Sequence, residues 1–389
     1  MPGWELIDGL EKRAIDKLFK PQKVDISPPI FKSGKNVEIF EKKFAKYVGA
    51  KYAVCVTSGT AAIKISLLAA GVKPGDEVIT QSFTFIAVVE AIIDVGAIPI
   101  ITEINETLNM CPKDLKKKIT RKTKAIIPVH MLGVSVEIDD IKKIAKKKNI
   151  CVIDDNCEAL GSRWSNQTLG NQFDICAWSF DNGKTITTGE GGMITTNNKR
   201  IFNFCSQYKD HGHENNPKFP RGRDTHSIYG FNYRVSEIVG AIGLVQLQKL
   251  NKVVKNNAKR YKIYESIINK YPEVSLRRVP KKNIPLKDCL IFNFSNKNLA
   301  NKFLKEMIKA KLPTKNIPDA LEWHFVKYWD HIFKKMNIKK KRLLKSFPKS
   351  SYYLEKSISI FIFSAETISS VKKKSRKIDK ILKKILYKK

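Results

Sequence analysis

The sequence predicts an α/β fold: a mostly parallel sheet of seven strands sandwiched by helices, followed by a smaller C-terminal α/β unit. Two observations carry this expectation. Between about residues 50 and 200, short apolar runs alternate with amphipathic stretches, the pattern of parallel strands covered on both faces. Near Ser236 a stretch of about 35 residues begins in which apolar positions recur every three or four residues, the period of a long helix. It leads into a lysine-rich remainder with two more strand-like runs. The expected division is 1–250 for an N-terminal segment plus the large domain and 251–389 for the small one.

The elements follow in order. YAVCVTS (52–58) is rich in β-branched residues and ends at Ser-Gly-Thr, a helix-start signal, before GTAAIKISLLAAG. EVITQ (77–81), AIPIIT (97–102) and KAIIPVH (124–130) read as strands, with helix-like FIAVVEAIIDVG after the first of them. DDIKKIAKKK (139–148) carries helical periodicity and leads into NICVIDD (149–155). ICAWSF (175–180) and GGMITTN (191–197) complete the strand series, the second as a neighbour of the first across a short turn. In the smaller unit CLIFNFS (289–295) and SISIFIFS (357–364) are the strands. Ile368, Val371, Ile378, Ile381, Leu382, Ile385 and Leu386 form one helical stripe flanked by lysines. Such a stripe packs on the small sheet, the alternative being a helix lying on a membrane surface.

Composition narrows the class. The chain has no apolar run long enough to span a bilayer, and its charged N-terminus lacks the apolar core of a secretory signal. Its seven cysteines have neither metal-ligand nor disulfide spacing. A cytoplasmic enzyme without a bound metal is expected. The net charge of +35 is uneven: residues 251–389 hold 37 Lys/Arg against 10 Asp/Glu. The lysines are spread out and no nucleic-acid motif accompanies them, so solvated helix faces are the expectation and a nucleic-acid partner is not.

Lys184 is the residue with the most chemistry to offer. It lies in SFDNGKTITTGEGG (179–192), past an apolar strand on a turn rich in Thr and Gly. An amine held there suits capture of a carbonyl cofactor, for which it must first lose its proton. VIDDNCEALG (152–161) is another strand ending in carboxylates, at the edge where ligands gather in open α/β sheets. A carboxylate from Asp154 or Asp155 could keep a pyridine nitrogen protonated, with a helix-capping aspartate as the alternative. Gly59 and Thr60 begin a helix whose free N–H groups suit a phosphate, Ser179 could add a hydroxyl, and Phe85 could stack on a flat ring. Amine, acid and phosphate cradle together indicate pyridoxal phosphate.

These segments resemble the DegT/StrS family of pyridoxal-phosphate-dependent aminotransferases of fold type I, which aminate keto-sugars. The likeness rests on Asp155 to Ala159, on Ser179 to Gly192, and on GFNYR (230–234) through Gln246-Leu247. The resemblance implies that Lys184 is the Schiff-base lysine, Asp155 the pyridinium partner and Phe85 the stacking ring. Gly59, Thr60 and Ser179 would hold the phosphate. Asn232 and Arg234 would reach the phosphate of a neighbouring subunit, making a homodimer with shared sites. Glu158 stands where most members have Gln or His near the cofactor's phenolic oxygen. An ionised glutamate would repel a phenolate, so Glu158 is expected to be protonated or turned away.

On the substrate side, DHGHENNPKFPRGRD (210–224) offers His211, His213 and Arg221 as acceptor contacts, or forms an exposed loop. His324, in WHF (323–325), is a further candidate contact, the alternative being an aromatic cluster with Trp323, Phe325, Tyr328 and Trp329. The N-terminal MPGWELI, HMLG (130–133) and HGHENNP look most like the sub-group of 8-amino-octulosonate transaminases, from which the segment around 20–35 departs. The expected reaction moves an amino group from L-glutamate to a keto-sugar, nucleotide-linked or of the 8-keto-octulosonate type. The product would serve cell-surface polysaccharide, including lipopolysaccharide, or amino-sugar synthesis. Two rivals are the family's sugar 3-dehydratases, in which a histidine replaces the lysine, and a catalytically silent relative that binds anionic partners through its basic C-terminal half.

Overall fold

A computed structural model describes residues 3–19, 34–314, 317, 321–335 and 347–387. Of the segment around 20–35, only residues 34 and 35 lie within that set.

The first nine strands are β1 (Tyr52–Val56), β2 (Glu77–Gln81), β3 (Ile98–Thr102), β4 (Thr123–Ile127), β5 (Cys151–Asp155), β6 (Arg163–Trp164), β7 (Gln167–Thr168), β8 (Ile175–Ser179) and β9 (Gly192–Thr196). Seven of them form the large sheet in the order β1-β9-β8-β5-β4-β2-β3. Its neighbours are parallel except that β9 runs antiparallel to both β1 and β8. The helices are α1 (Gly9–Asp16), α2 (Lys35–Val48), α3 (Gly59–Ala69), α4 (Ala87–Asp94), α5 (Pro112–Lys118), α6 (Ile138–Lys148), α7 (Lys199–Tyr208), α8 (Glu237–Ile268) and α9 (Lys297–Lys309).

Successive strand residues point to opposite faces, and each face has its own core. Val54, Val56, Ala125, Ile127, Ile153 and Ala177 pack with Ile63, Ile65 and Leu67 of α3 and with Val88 and Ile92 of α4. On the other face Ala53, Cys55, Trp178 and Met193 meet Phe40, Phe44 and Val48 of α2. Ile79, Ile126 and Val152 meet Leu115 of α5 and Ile141 and Ala145 of α6. Helix ends follow local chemistry. The Ser58 hydroxyl accepts the Ala61 N–H at 3.0 Å and so starts α3. Asn149 ends α6 in the left-handed region at φ 52°, with Lys146, Lys147 and Lys148 in its last turn.

The 32-residue α8 is bound early by α2. Glu237 accepts the N–H groups of Gly34, Asn36 and Val37 at 2.8–3.0 Å. Further along, Leu250 belongs to the α2 core while Tyr264 and Ile268 belong to a separate one. The change of partners therefore falls inside the helix, beyond residue 250. That second core is built on a sheet of β10 (Val274–Leu276), β12 (Cys289–Phe294) and β13 (Ser357–Phe361), while β11 (Asn283–Ile284) pairs with β6. The C-terminal helix (Ile368–Tyr387) lays Val371, Ile378, Ile381 and Leu382 on that core, which satisfies its apolar stripe by packing. Between β12 and β13 the chain returns to the large sheet, where Ile317, Phe325, Val326, Trp329, Phe347 and Leu354 join the α3/α4 core. Among the described residues no helix is long and apolar enough to cross a membrane.

One close approach sets the geometry at the carboxyl ends of the strands. Gly192 opens β9 opposite Val56 of β1 and Ser179 of β8, and a Cβ on it would lie 2.3 Å from the Ser58 carbonyl oxygen. Gly192→Ala should therefore push the β1–α3 turn away and cost about 1–3 kcal/mol. The checking measurement is the urea midpoint with an unchanged slope.

Candidate active site

The ends of β1, β5 and β8 enclose a cavity of about 400 Å³. Its walls include Ser58, Gly59 and Thr60 after β1, Asp155, Cys157 and Glu158 after β5, and Ser179, Asp181 and Lys184 after β8. Phe85, Val88, Met131, Glu190 and His324 are among the other residues that line it. The first N–H groups of a helix have no partner within it, and here they belong to Gly59 and Thr60. A Cβ at Gly59 would sit 2.8 Å from Ser179 Cβ and 3.1 Å from Cys157 Sγ. Only a hydrogen fits, and the space so kept lies at an anion-friendly helix end.

Lys184 enters from the turn that follows β8. Lys184 N–H donates to the Asp181 carbonyl at 3.0 Å and Gly183 N–H to Asp181 Oδ1 at 2.8 Å. The ends of the excursion are tied by Phe180 N–H to the Gly191 carbonyl at 2.8 Å and Thr188 N–H to the Phe180 carbonyl at 3.0 Å. The lysine side chain is only 17% exposed, and Nζ lies 3.8 Å from Glu158 Oε1.

The two aspartates that end β5 part company. Asp154 turns away from the cavity into the interior, where Oδ1 lies 2.8 Å from Nε2 of the equally buried His130. Val136 N–H donates to His130 Nδ1, which puts the ring proton on Nε2, facing the carboxylate. Asp155 lines the cavity, and Oδ1 accepts the Cys157 N–H at 2.9 Å. Burial pushes the Asp155 carboxyl above its usual range, against the opposing pull of the Cys157 hydrogen bonds and the Lys184 charge. Cys157, half-buried beside that carboxylate, has its thiol pushed well up, chiefly by desolvation.

Glu158 is not turned away. Oε2 accepts the Leu132 N–H at 3.0 Å while Oε1 faces Lys184. Leu132 sits at φ 53°, and that left-handed turn aims its N–H at the carboxylate. Phe85 lines the cavity while 42% exposed, and the His324 ring lies 5.4 Å from it. His324 is held there because its carbonyl accepts the Thr84 N–H at 2.8 Å and Val326 N–H donates to Ser82 at 2.9 Å. Of the aromatic cluster expected around it, Phe325 and Trp329 are buried while Trp323 and Tyr328 are exposed.

The remaining candidates lie outside this cavity. Arg221 and Arg234 both donate to Asp210. Burial alone would raise the Asp210 carboxyl, but the two guanidiniums overcome it and hold it down at about 2. His213 Nδ1 is 3.2 Å from Asp224 Oδ2, and His211 and Asn232 are exposed. The chain's own cavity thus gathers Gly59, Thr60, Phe85, Asp155, Glu158, Ser179, Lys184 and His324, but not His211, His213, Arg221, Asn232 or Arg234. Asp181, Glu190 and Cys157 also line it and had not been singled out. All three stand inside the two quoted motifs, so proximity in sequence was the available signal. Met131, by contrast, arrives from the β4 side.

The chain matches the DegT/DnrJ/EryC1/StrS aminotransferase family over residues 22–372. It is 39% identical over 246 residues to the GDP-perosamine synthase of Escherichia coli O157:H7, a match spanning 63% of this chain and 66% of that relative. It is also 32% identical over 342 residues to an uncharacterized protein of Methanocaldococcus jannaschii, covering 85% and 86% of the two chains. The crystal structure of an aminotransferase from Psychrobacter cryohalolentis superposes with a TM-score of 0.85 at 24% identity, over 97% and 98% of the chains. The chain belongs to the DegT/DnrJ/EryC1/StrS aminotransferase family.

Proposed function

We propose that this chain is an aminotransferase that moves an amino group from L-glutamate to a keto-sugar. The observation that carries the reading is a lysine amine and a buried aspartate facing one cavity beside a glycine-kept helix end. Those residues fit pyridoxal phosphate. Gly59, Thr60 and Ser179 would hold its phosphate, Phe85 would lie on its ring and Asp155 would face its ring nitrogen. Bound there, the cofactor would supply an aldehyde that captures amino groups and a ring that withdraws electrons from the substrate carbon.

The protein's own groups do the rest. Asp155 keeps a proton on the ring nitrogen. Lys184 would carry a proton between the donor's amino-bearing carbon and the cofactor's aldehyde-derived carbon, and the reverse way for the acceptor, a task that needs a mobile amine close by. Glu158, anchored by the Leu132 N–H, faces that amine across 3.8 Å as an ion-pair partner. His324, beside Phe85 at the cavity wall, is a substrate contact.

A homodimer with shared sites is part of the proposal. Asn232 and Arg234 lie away from their own cavity, next to the exposed Tyr229 (74%) and Phe231 (50%). An exposed aromatic patch of this kind suits an interface, and across it the two residues, with His211, His213 and Arg221, would reach the partner's site. The similarity to a GDP-perosamine synthase favours a nucleotide-linked sugar, and the sub-group motifs favour an 8-keto-octulosonate. Lys184 stands against the sugar 3-dehydratase rival, and the assembled cavity against a silent relative. Cell-surface polysaccharide synthesis in the cytoplasm is the setting proposed.

Three outcomes are expected. With glutamate and a panel holding a GDP-linked keto-hexose and an 8-keto-octulosonate, the protein should release 2-oxoglutarate with one acceptor class. Lys184→Ala should lower that rate by at least about a thousandfold. Retained turnover would sink the mechanism.

The second outcome follows from Asp155. Its raised pKa means that the cofactor-free protein keeps the carboxyl proton to higher pH than an ordinary aspartate. Pairing with a charged ring nitrogen requires that proton to leave. Cofactor affinity should therefore rise with pH up to the raised pKa and level off above it. Asp155→Asn should lose that slope when the dissociation constant is measured across the same range.

Third, Lys184→Ala and Arg234→Ala should each be inactive alone. Mixed and allowed to exchange subunits, they should recover about a quarter of wild-type activity, since half the dimers then carry one intact site.

A further inference from the structure

The Lys184 turn is gripped from outside the cavity. While its side chain faces inward, the Lys184 carbonyl accepts the N–H of Gly3 at 2.6 Å. Gly3 is buried, and a Cβ there would lie 2.8 Å from Lys184 O and 2.9 Å from both Ile186 C and Thr187 N. These are backbone atoms that cannot step aside, so only glycine lets the N-terminal segment lie flat on the turn.

A second contact holds the same turn three residues on. Thr187 N–H donates to Gln246 Oε1 at 3.3 Å, and Gln246 Nε2 donates to Glu11 Oε1 at 2.8 Å. Gln246 is completely buried and Glu11 nearly so. Lys249 lies 2.7 Å from Glu11 and donates to the Leu6 carbonyl at 2.6 Å, closing the network on the N-terminal segment. Buried polar chains of this kind cost energy unless every member is placed. None of these atoms lines the cavity, so the chemistry proposed above makes no direct use of them.

We propose that residues 3–11 form a clamp that sets where Lys184 stands, with Gly3, Glu11 and Gln246 as positioning residues. The proposal rests on the assignment of Lys184 as the reacting amine. The turn it grips contains Gly183, Gly189 and Gly191, whose backbones restrain themselves poorly. A displacement of about 1 Å in a reacting group is enough to cost a hundredfold in rate, so an external hold has a function here.

The test reads the turn itself as well as the reaction. In Gln246→Glu two carboxylates would face each other across the network. Backbone amides of residues 181–190 should then exchange with deuterium about tenfold faster, in cofactor-free and cofactor-loaded protein alike. In the loaded enzyme kcat should fall with KM nearly unchanged, and the pH midpoint of the cofactor's visible absorbance should move. Adding Glu11→Gln restores one donor and one acceptor between the two positions and should return all three readouts toward wild type. Gly3→Ala, a smaller change measured alongside, should speed exchange in the same peptide. Unchanged exchange at 181–190 and an unchanged absorbance midpoint in folded Gln246→Glu and Gly3→Ala would overturn the clamp. Failure of the Lys184 assignment would show separately, as turnover by Lys184→Ala, because exchange in the cofactor-free protein does not depend on it.

Discussion

Three strand ends have to meet within reach of one side chain, and the flush contact of Gly192 with the Ser58 carbonyl makes that possible. Because β9 lies antiparallel between β1 and β8, its first residue stands where its neighbours finish. A side chain there would prise β1 and its helix from β8, and the Ser179 end would no longer close on Gly59. The two contacts act together: Gly192 brings the strands together, and Gly59 leaves the space between them open to a ligand.

The same region concentrates charges that water would otherwise solvate. Two adjacent aspartates end β5, and a sheet places adjacent residues on opposite faces. One carboxylate is matched by a buried histidine whose tautomer is set by a backbone N–H. The other keeps only short-range hydrogen bonds and the lysine's field, and its carboxyl is raised. A buried acid held above its usual range is a group prepared for a cationic partner. Glu158 shows the opposite handling, fixed by the Leu132 N–H so that it faces the amine at a distance too long for a direct hydrogen bond.

The basic C-terminal half has a simpler structural account. Its last helix buries Val371, Ile378, Ile381 and Leu382 against the small sheet, while most of its lysines are exposed. Some find carboxylates, as Lys384 does at 2.7 Å from Glu306 and Lys374 at 2.8 Å from Glu366. A pair as solvated as Lys384 with Glu306 contributes little to stability, so the apolar stripe is the main contact that docks the helix.

The large sheet was legible because its strands are apolar, short and bounded by turn residues, and a parallel sheet buried on both faces permits little else. Lys184, Asp155 and Gly59 were legible because each stands at or just past the end of a strand inside a compact motif. The amphipathic helices α2 and α9 carry apolar stripes as clear as that of α6 but were not singled out. By itself the sequence determined the seven strands of the large sheet, two of the small one and the residue types at their ends, since periodicity and turn chemistry are local, whereas β6, β7, β10 and β11 are only two or three residues long and carry no pattern. Only the tertiary structure placed Asp154 against His130, turned Glu158 inward, brought His324 to the cavity wall and kept His211, His213, Arg221, Asn232 and Arg234 out of their own chain's cavity. It also brought Gly3 onto the Lys184 turn across 181 residues of chain. Those outcomes depend on strand register and on long-range backbone contacts, which no local pattern encodes.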